Sequence, residues 1–220
     1  MAGSCLRGIE AIFFDFEGTL VDFQWNLRGA VRETLEMLSA LGFPMDRLQG
    51  KKYSLLMTEA ARLAPDIGQS PNRIRELIGT IYNRYDEDAL SRWVLRSGAI
   101  ELLTAVRAKG LLTALVSNVG REALEKALLK LDLNSLFQIL VSRNDVSALK
   151  PSGEGIRLAL NRLKVHEERT LFVGDSVDDI QAAREAGTRV TILLGGENPR
   201  EALLSEKPDA TIYHLKELLL

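Results

Sequence analysis

Seven polar residues stand where short apolar runs end: Asp15 and Glu17 after Ile9 to Phe14, Ser117 and Asn118 after Leu111 to Val116, and Asp175, Ser176 and Asp179 after Thr170 to Gly174. Four of the seven are carboxylates. Carboxylates that converge on one edge repel one another, so the cluster is tolerable only with a cation or a shared proton among them. Magnesium is the natural occupant, because it takes hard oxygen ligands and usually keeps waters beside one or two carboxylates and a phosphate oxygen. Asp179 follows Asp175 by four residues, so a helix beginning there keeps it near the strand end, where it orients its neighbours.

Those residues need a frame that brings strand ends together. Ile9 to Phe14 is a β-branched and aromatic run closed by Glu17-Gly18-Thr19, which reads as a buried strand. From Asn26 to Trp93 the pattern turns helical, with breaks at Gly42-Phe43-Pro44, Ala64-Pro65-Asp66 and Gln69-Ser70-Pro71, and predicts three to five helices without a strand. After Ser97-Gly98 helices and strands alternate. Helices are expected over Ile100 to Lys109, Glu122 to Leu131, Gly153 to Leu163 and Asp178 to Ala186. Strands are expected over Leu111 to Ser117, Phe137 to Val141, Thr170 to Gly174, Arg189 to Leu194 and Ala210 to Tyr213. Such alternation implies a doubly wound, Rossmann-like α/β fold with a parallel sheet covered on both faces. Ligands of such sheets bind at the carboxyl ends of the strands, where the strand order reverses.

Composition narrows the function. With 46% apolar residues over 220 positions the chain can bury a full core. A formal net charge of -2 provides no dominant basic field for nucleic acid or an anionic membrane, so an anionic substrate has to be caught locally. The longest apolar runs fall far short of the roughly 20 residues that cross a bilayer. Met1 to Glu10 has no apolar signal core, and Cys5, the sole cysteine, reads as an inert thiol, which together favour a reducing, cytoplasmic setting. His166 and His214 fall on polar or terminal stretches and carry no assigned chemistry.

Asp15 to Leu20 (DFEGTL), Ser117-Asn118, Lys150-Pro151 and Gly174 to Asp179 (GDSVDD) resemble, in order, the four motifs of the haloacid dehalogenase superfamily, and the resemblance covers the whole chain. It implies an Mg2+-dependent phosphatase acting on a small-molecule phosphate ester through an aspartyl-phosphate, as a monomer or homodimer. By that resemblance Asp15 is the nucleophile and Glu17 the general acid and base, while Asp15, the Glu17 carbonyl and Asp175, with Asp179 in support, form the metal site. Ser117, Asn118 and Lys150 would hold the phosphoryl oxygens.

Glu17 departs from the aspartate that most family phosphatases carry, although the enolase-phosphatase branch resembles this chain in its Asp-x-Glu-Gly-Thr loop. On that ground Glu17→Asp is expected to keep activity within an order of magnitude. The stretch of about seventy residues between the first two motifs resembles the helical cap of phosphoglycolate-phosphatase-like members. It implies a core of residues 1–20 and 95–220, a cap of 21–94, and hinges near Val21 to Gln24 and Val94 to Gly98. Arg47, Lys51, Lys52, Arg62 and Arg73 are candidates to meet a second anionic group, against the default that charges on helices are simply solvated, and Trp25 and Trp93 are read as packing residues. Two alternatives remain within the fold. Metal-free carbon–halogen hydrolysis is disfavoured by Glu17 and Asp175, and a non-catalytic binding member by the presence of Ser117, Lys150 and both motif aspartates.

Overall fold

The computed structural model describes residues 6–220, so Cys5 lies outside the described residues. Strand β1 (Ala11–Phe14) is buried along its whole length, as befits an apolar run in the middle of a sheet covered on both sides. Three helices follow: α1 (Leu27–Ala40), α2 (Tyr53–Leu63) and α3 (Pro71–Leu90). The Asn26 side chain caps α1 by accepting from the Gly29 amide at 3.0 Å, and Pro71 opens α3 where a missing N–H costs nothing.

The alternating part then unfolds as α4 (Ala99–Ala108), β2 (Leu112–Val116), α5 (Arg121–Lys130), β3 (Ile139–Val141), α6 (Glu154–Leu163) and β4 (Thr170–Gly174). It closes with α7 (Val177–Glu185), β5 (Arg189–Leu193), α8 (Arg200–Ser205) and β6 (Ala210–Ile212). The six strands form one sheet in the order β3-β2-β1-β4-β5-β6, and every pair is parallel. The chain walks from β1 out to β3 and then returns to place β4 against the other side of β1. Strand order therefore reverses between β1 and β4, whose next residues are Asp15 and Asp175.

Side-chain alternation along the strands builds two cores. Ile12, Phe14, Leu115 and Val173 face α4, α5 and the inner sides of α1 to α3, while Phe13, Ala114, Val116 and Phe172 face α6 and α7. The expected strands and helices occur with their ends moved by a residue or two. Helix α8 was not foreseen, because six residues after Pro199 are too few to show a helical period. The two segments joining α1–α3 to the sheet lie side by side: Val21 bridges Leu95, the Asp22 amide donates to Val94 at 3.0 Å, and the Arg96 amide to Leu20 at 2.9 Å.

Phe13 is fully buried in the central strand. Phe13→Ala is expected to destabilise the protein by about 3–5 kcal/mol, measured by denaturant unfolding. A loss below about 1 kcal/mol would mean that this face of the sheet is not close-packed.

Candidate active site

The ends of β1 and β4 bring the sequence-selected carboxylates together. Asp15, Asp175 and Asp179 each offer a carboxylate oxygen within 4.8 Å of the others, and all three are buried. Lys150 enters among them, its Nζ 2.5 Å from Asp15 Oδ1 and 2.6 Å from Asp179 Oδ1. The second oxygen of Asp179 accepts from the Asp175 amide (3.1 Å), the Ser176 amide (3.0 Å) and the Ser176 hydroxyl (2.7 Å). The Asp179 amide donates back to Ser176 Oγ at 3.1 Å, which completes a capping box at the start of α7. Both oxygens of Asp179 are thus engaged in holding the loop and the lysine.

Asp175 is fixed as tightly. Its Oδ1 accepts from the Thr19 hydroxyl at 2.8 Å and its Oδ2 from the Glu197 amide at 2.6 Å. Two glycines press against it: a Cβ on Gly18 would stand 2.2 Å from Asp175 Oδ2, and one on Gly196 would stand 2.0 Å away. Gly18 also has φ +87°, a left-handed backbone that side chains disfavour.

Burial raises the Asp15 carboxyl to about 6 against the pull of Lys150, with Asp179 adding repulsion. Burial, followed by the Asp179 and Asp15 charges, pushes Asp175 well above the carboxylate range. Burial alone would lower Lys150, but the two carboxylates it touches outweigh that and hold it charged. One ammonium faces three buried acids, so the site has a deficit of positive charge. Its donors are all hard oxygens, which suits a divalent cation such as magnesium.

Glu17 lies on the other wall. Its Oε1 accepts three N–H groups, from Gln24 and Trp25 (both 2.7 Å) and from the Trp93 indole (2.8 Å). Burial raises its carboxyl to about 7 despite those bonds. Ser117 borders the same cleft, and its oxygen accepts weakly from the Val119 amide at 3.3 Å, which leaves its hydroxyl proton available. Asn118 is brought to the site but its amide is committed: Nδ2 donates to Tyr53 Oη (3.0 Å) and the Lys150 carbonyl (3.2 Å), and Oδ1 accepts from the Lys150 amide (3.0 Å).

The helical insertion closes this cleft, which retains about 40 Å3, room for a few waters. Its docking contacts were not visible beforehand. Lys52 pairs with Asp178 at 2.7 Å, the Ser54 hydroxyl donates to the same carboxylate at 2.9 Å, and Asp86 of α3 pairs with Arg143 at 2.6 Å. Trp25 packs on Tyr53, Tyr82 and Tyr85. None of Arg47, Lys51, Lys52, Arg62 and Arg73 lines the cleft. Asp86 lies in a run of charges, Asn83-Arg84-Tyr85-Asp86-Glu87-Asp88, that looks solvated; only the helical phase shared with buried Ile78 and Tyr82 marks it as inward. Trp93 does pack, against Phe16, yet its indole also reaches the acid.

The chain matches the family model for haloacid dehalogenase-like hydrolases over residues 12–193. It is 30% identical to a phosphoglycolate phosphatase of Salmonella typhimurium, over 97% of this chain and 92% of that one. The corresponding enzyme of Escherichia coli O157:H7 is 29% identical over 98% of this chain and 93% of its own. Among solved structures, a hydrolase from Pseudomonas syringae superposes with a TM-score of 0.71 at 24% identity, covering 95% of each chain. CbbY from Rhodobacter sphaeroides, in complex with phosphate, does so with a TM-score of 0.62 at 23% identity, covering 96% of each. These two likenesses establish the fold.

The raised Glu17 carboxyl has a consequence for stability. A carboxyl that titrates at about 7 in the fold and at 4.5 in the unfolded chain binds protons on folding. Stability therefore falls as pH rises between those values, and the deficit persists above them. Glu17→Gln keeps the Oε1 acceptor and removes the titration. In chelator, the variant should melt higher than wild type at pH 8 and show no such gain at pH 4.5. An equal difference in Tm at both pH values would show that Glu17 is not the titrating group.

Proposed function

The chain belongs to the haloacid dehalogenase-like hydrolases, and from that premise we propose that it is a magnesium-dependent phosphoric monoester hydrolase that cleaves a small organic phosphate through an aspartyl-phosphate on Asp15. The observation that carries the reading is a pair of carboxyls in one closed cleft with different tasks. Asp15 lies against Lys150, which keeps it available as a nucleophile, and Glu17 sits near neutral pKa, which suits proton transfer in both directions.

In the first step the Asp15 oxygen not held by Lys150 attacks phosphorus in line. The bond to the ester oxygen breaks, and that oxygen takes the Glu17 proton. In the second step Glu17 removes a proton from water, which attacks the same phosphorus and returns Asp15 and inorganic phosphate. The Lys150 ammonium and the Ser117 hydroxyl meet the phosphoryl oxygens as negative charge builds on them. Asp15, Asp175 and the Glu17 carbonyl are the groups that hold magnesium, which when bound neutralises and orients those oxygens. Asp179 and Asn118 act through others: the first fixes the Lys150 ammonium, the second its backbone and Tyr53.

Residues 21–94 act as a cap on a core of residues 1–20 and 95–220. A cleft of about 40 Å3 does not admit an ester, so the cap opens about the paired segments Val21 to Gln24 and Val94 to Gly98. Since Gln24, Trp25 and Trp93 hold Glu17, closure sets the acid as it excludes water from the acyl-phosphate. The proposal extends to a reducing, cytoplasmic setting on the strength of the single cysteine, and no helix among the described residues is long and apolar enough to cross a membrane.

Phosphate release from a panel of small esters, each with magnesium and again with excess chelator, tests the class. Release in magnesium alone is expected, with Asp15→Asn inactive but folded; full activity in that variant would remove the nucleophile. For Glu17→Asp the geometry reverses the expectation drawn from sequence. The shorter acid withdraws by about 1.5 Å from three donors that are fixed in place. A fall in kcat of about 100-fold is expected, and activity within threefold of wild type would show that those donors do not set the acid.

A further inference from the structure

The cleft has a second polar wall that phosphoryl transfer does not use. Asp86 and Arg143 both line it, and the two residues are only 1% and 5% exposed. Asp86 Oδ2 accepts from Arg143 Nη2 at 2.6 Å and from the Gly120 amide at 3.0 Å. Arg143 Nη1 donates to the Asn118 carbonyl at 2.8 Å, and Nη2 also donates to Asn83 Oδ1 at 2.6 Å. A guanidinium carries five N–H groups, so two are left over. Asp86 Oδ1 accepts from no described residue, and it is not among the buried polar atoms sealed from solvent, so it keeps access to the cleft. Asp86 is also close enough to Glu17 for its charge to help raise that carboxyl, though far less than burial does. This places the pair beside the group that serves the leaving oxygen.

Resting on the phosphatase reading, we propose that Asp86 and Arg143 recognise a hydroxyl on the leaving group, so that the preferred substrate is a phosphorylated polyol and not a phosphorylated carboxylic acid. A spare carboxylate acceptor beside spare guanidinium donors matches an O–H, which gives one hydrogen bond and takes another. A carboxylate finds no such match. Lys150 and Arg143 are the two cations on the cleft wall, the first held by Asp15 and Asp179 and the second by Asp86. Glu17, Asp178 and Glu197 add further acids to the same wall. Lys52 lies outside the lining and is itself held by Asp178 at 2.7 Å. To meet a cation the leaving group's carboxylate must share Arg143 with Asp86, which sets a second carboxylate beside a buried one and is unfavourable. The substrate therefore differs from the one in the names of the relatives that are 29 to 30% identical.

The experiment measures kcat/KM of the full chain in magnesium for glycerol 1-phosphate, propyl phosphate, which lacks the hydroxyls, and 2-phosphoglycolate. Glycerol 1-phosphate is expected to exceed each of the others by at least about tenfold, because a site built to bond a hydroxyl rejects the analogue without it. In Asp86→Asn the advantage over propyl phosphate should shrink and 2-phosphoglycolate should improve by about tenfold relative to it, since Arg143 is freed. A wild type that prefers 2-phosphoglycolate, or that treats propyl and glycerol phosphates alike, overturns the proposal, and this arm stands even if the variant does not fold. A variant that loses all three esters in proportion also overturns it, because the pair would then be structural only. Absence of release from these esters and from p-nitrophenyl phosphate alike would overturn the phosphatase reading, and this inference with it.

Discussion

Three carboxylates held out of water around one lysine set the terms for the rest of this structure. Asp15, Asp175 and Asp179 cannot all be charged beside Lys150 without a further cation or a proton, and the raised Asp15 and Asp175 carboxyls express that cost. The fold meets it by over-determining each group. Asp175 is gripped by Thr19 and the Glu197 amide and pressed by Gly18 and Gly196, while Asp179 caps α7 with one oxygen and holds the lysine with the other. Repulsion that would scatter mobile side chains becomes a fixed demand for positive charge. A divalent cation meets that demand, whereas a neutral ligand does not.

The same economy of position extends to the insertion. Its contacts with the sheet domain include one buried ion pair, Asp86 with Arg143, and a half-exposed one, Lys52 with Asp178, besides the aromatic cluster around Trp25. Apolar contacts tolerate sliding, but a buried ion pair loses heavily when one partner is misplaced, so Asp86 and Arg143 favour this one geometry. Closure also has a chemical effect. Glu17 belongs to the first loop of the sheet domain, yet its carboxyl is held by Gln24, Trp25 and Trp93 at the borders of the insertion. Position and protonation of the acid are therefore properties of the closed molecule.

Much of the sheet and its carboxylates was legible in the sequence, because both follow from short-range rules. A strand such as Thr170–Gly174 is an apolar run with a stop, and topology alone places the residue after it at the switch point. The Glu17 environment was less legible. The sequence shows one extra methylene, while the three donors that make it matter come from positions up to 76 residues away. Asn118 lines the cleft, but its amide faces Tyr53 and the Lys150 backbone, an engagement that no local pattern announces. The cap cations were the least informative choice. Charge on a helix is the default for solvated faces, and the residues that do reach the cleft, Asp86 and Arg143, were hidden in a charged run and a short 3-10 turn.

This division between what was legible and what was not follows the division of labour in the molecule. Asp15, Ser117 and Asp175 sit directly after strands of the parallel sheet, where register fixes their positions, and Lys150 reaches Asp15 from the loop before α6. Asp86 and Arg143 sit on α3 and on the turn after β3, from which they hold the Gly120 amide and the Asn118 carbonyl. The two kinds of residue meet at Asn118, whose amide braces Lys150 while its carbonyl receives Arg143. Through that residue the Asp86–Arg143 pair and the Lys150 backbone are joined by hydrogen bonds, so the two walls of the cleft share one anchor.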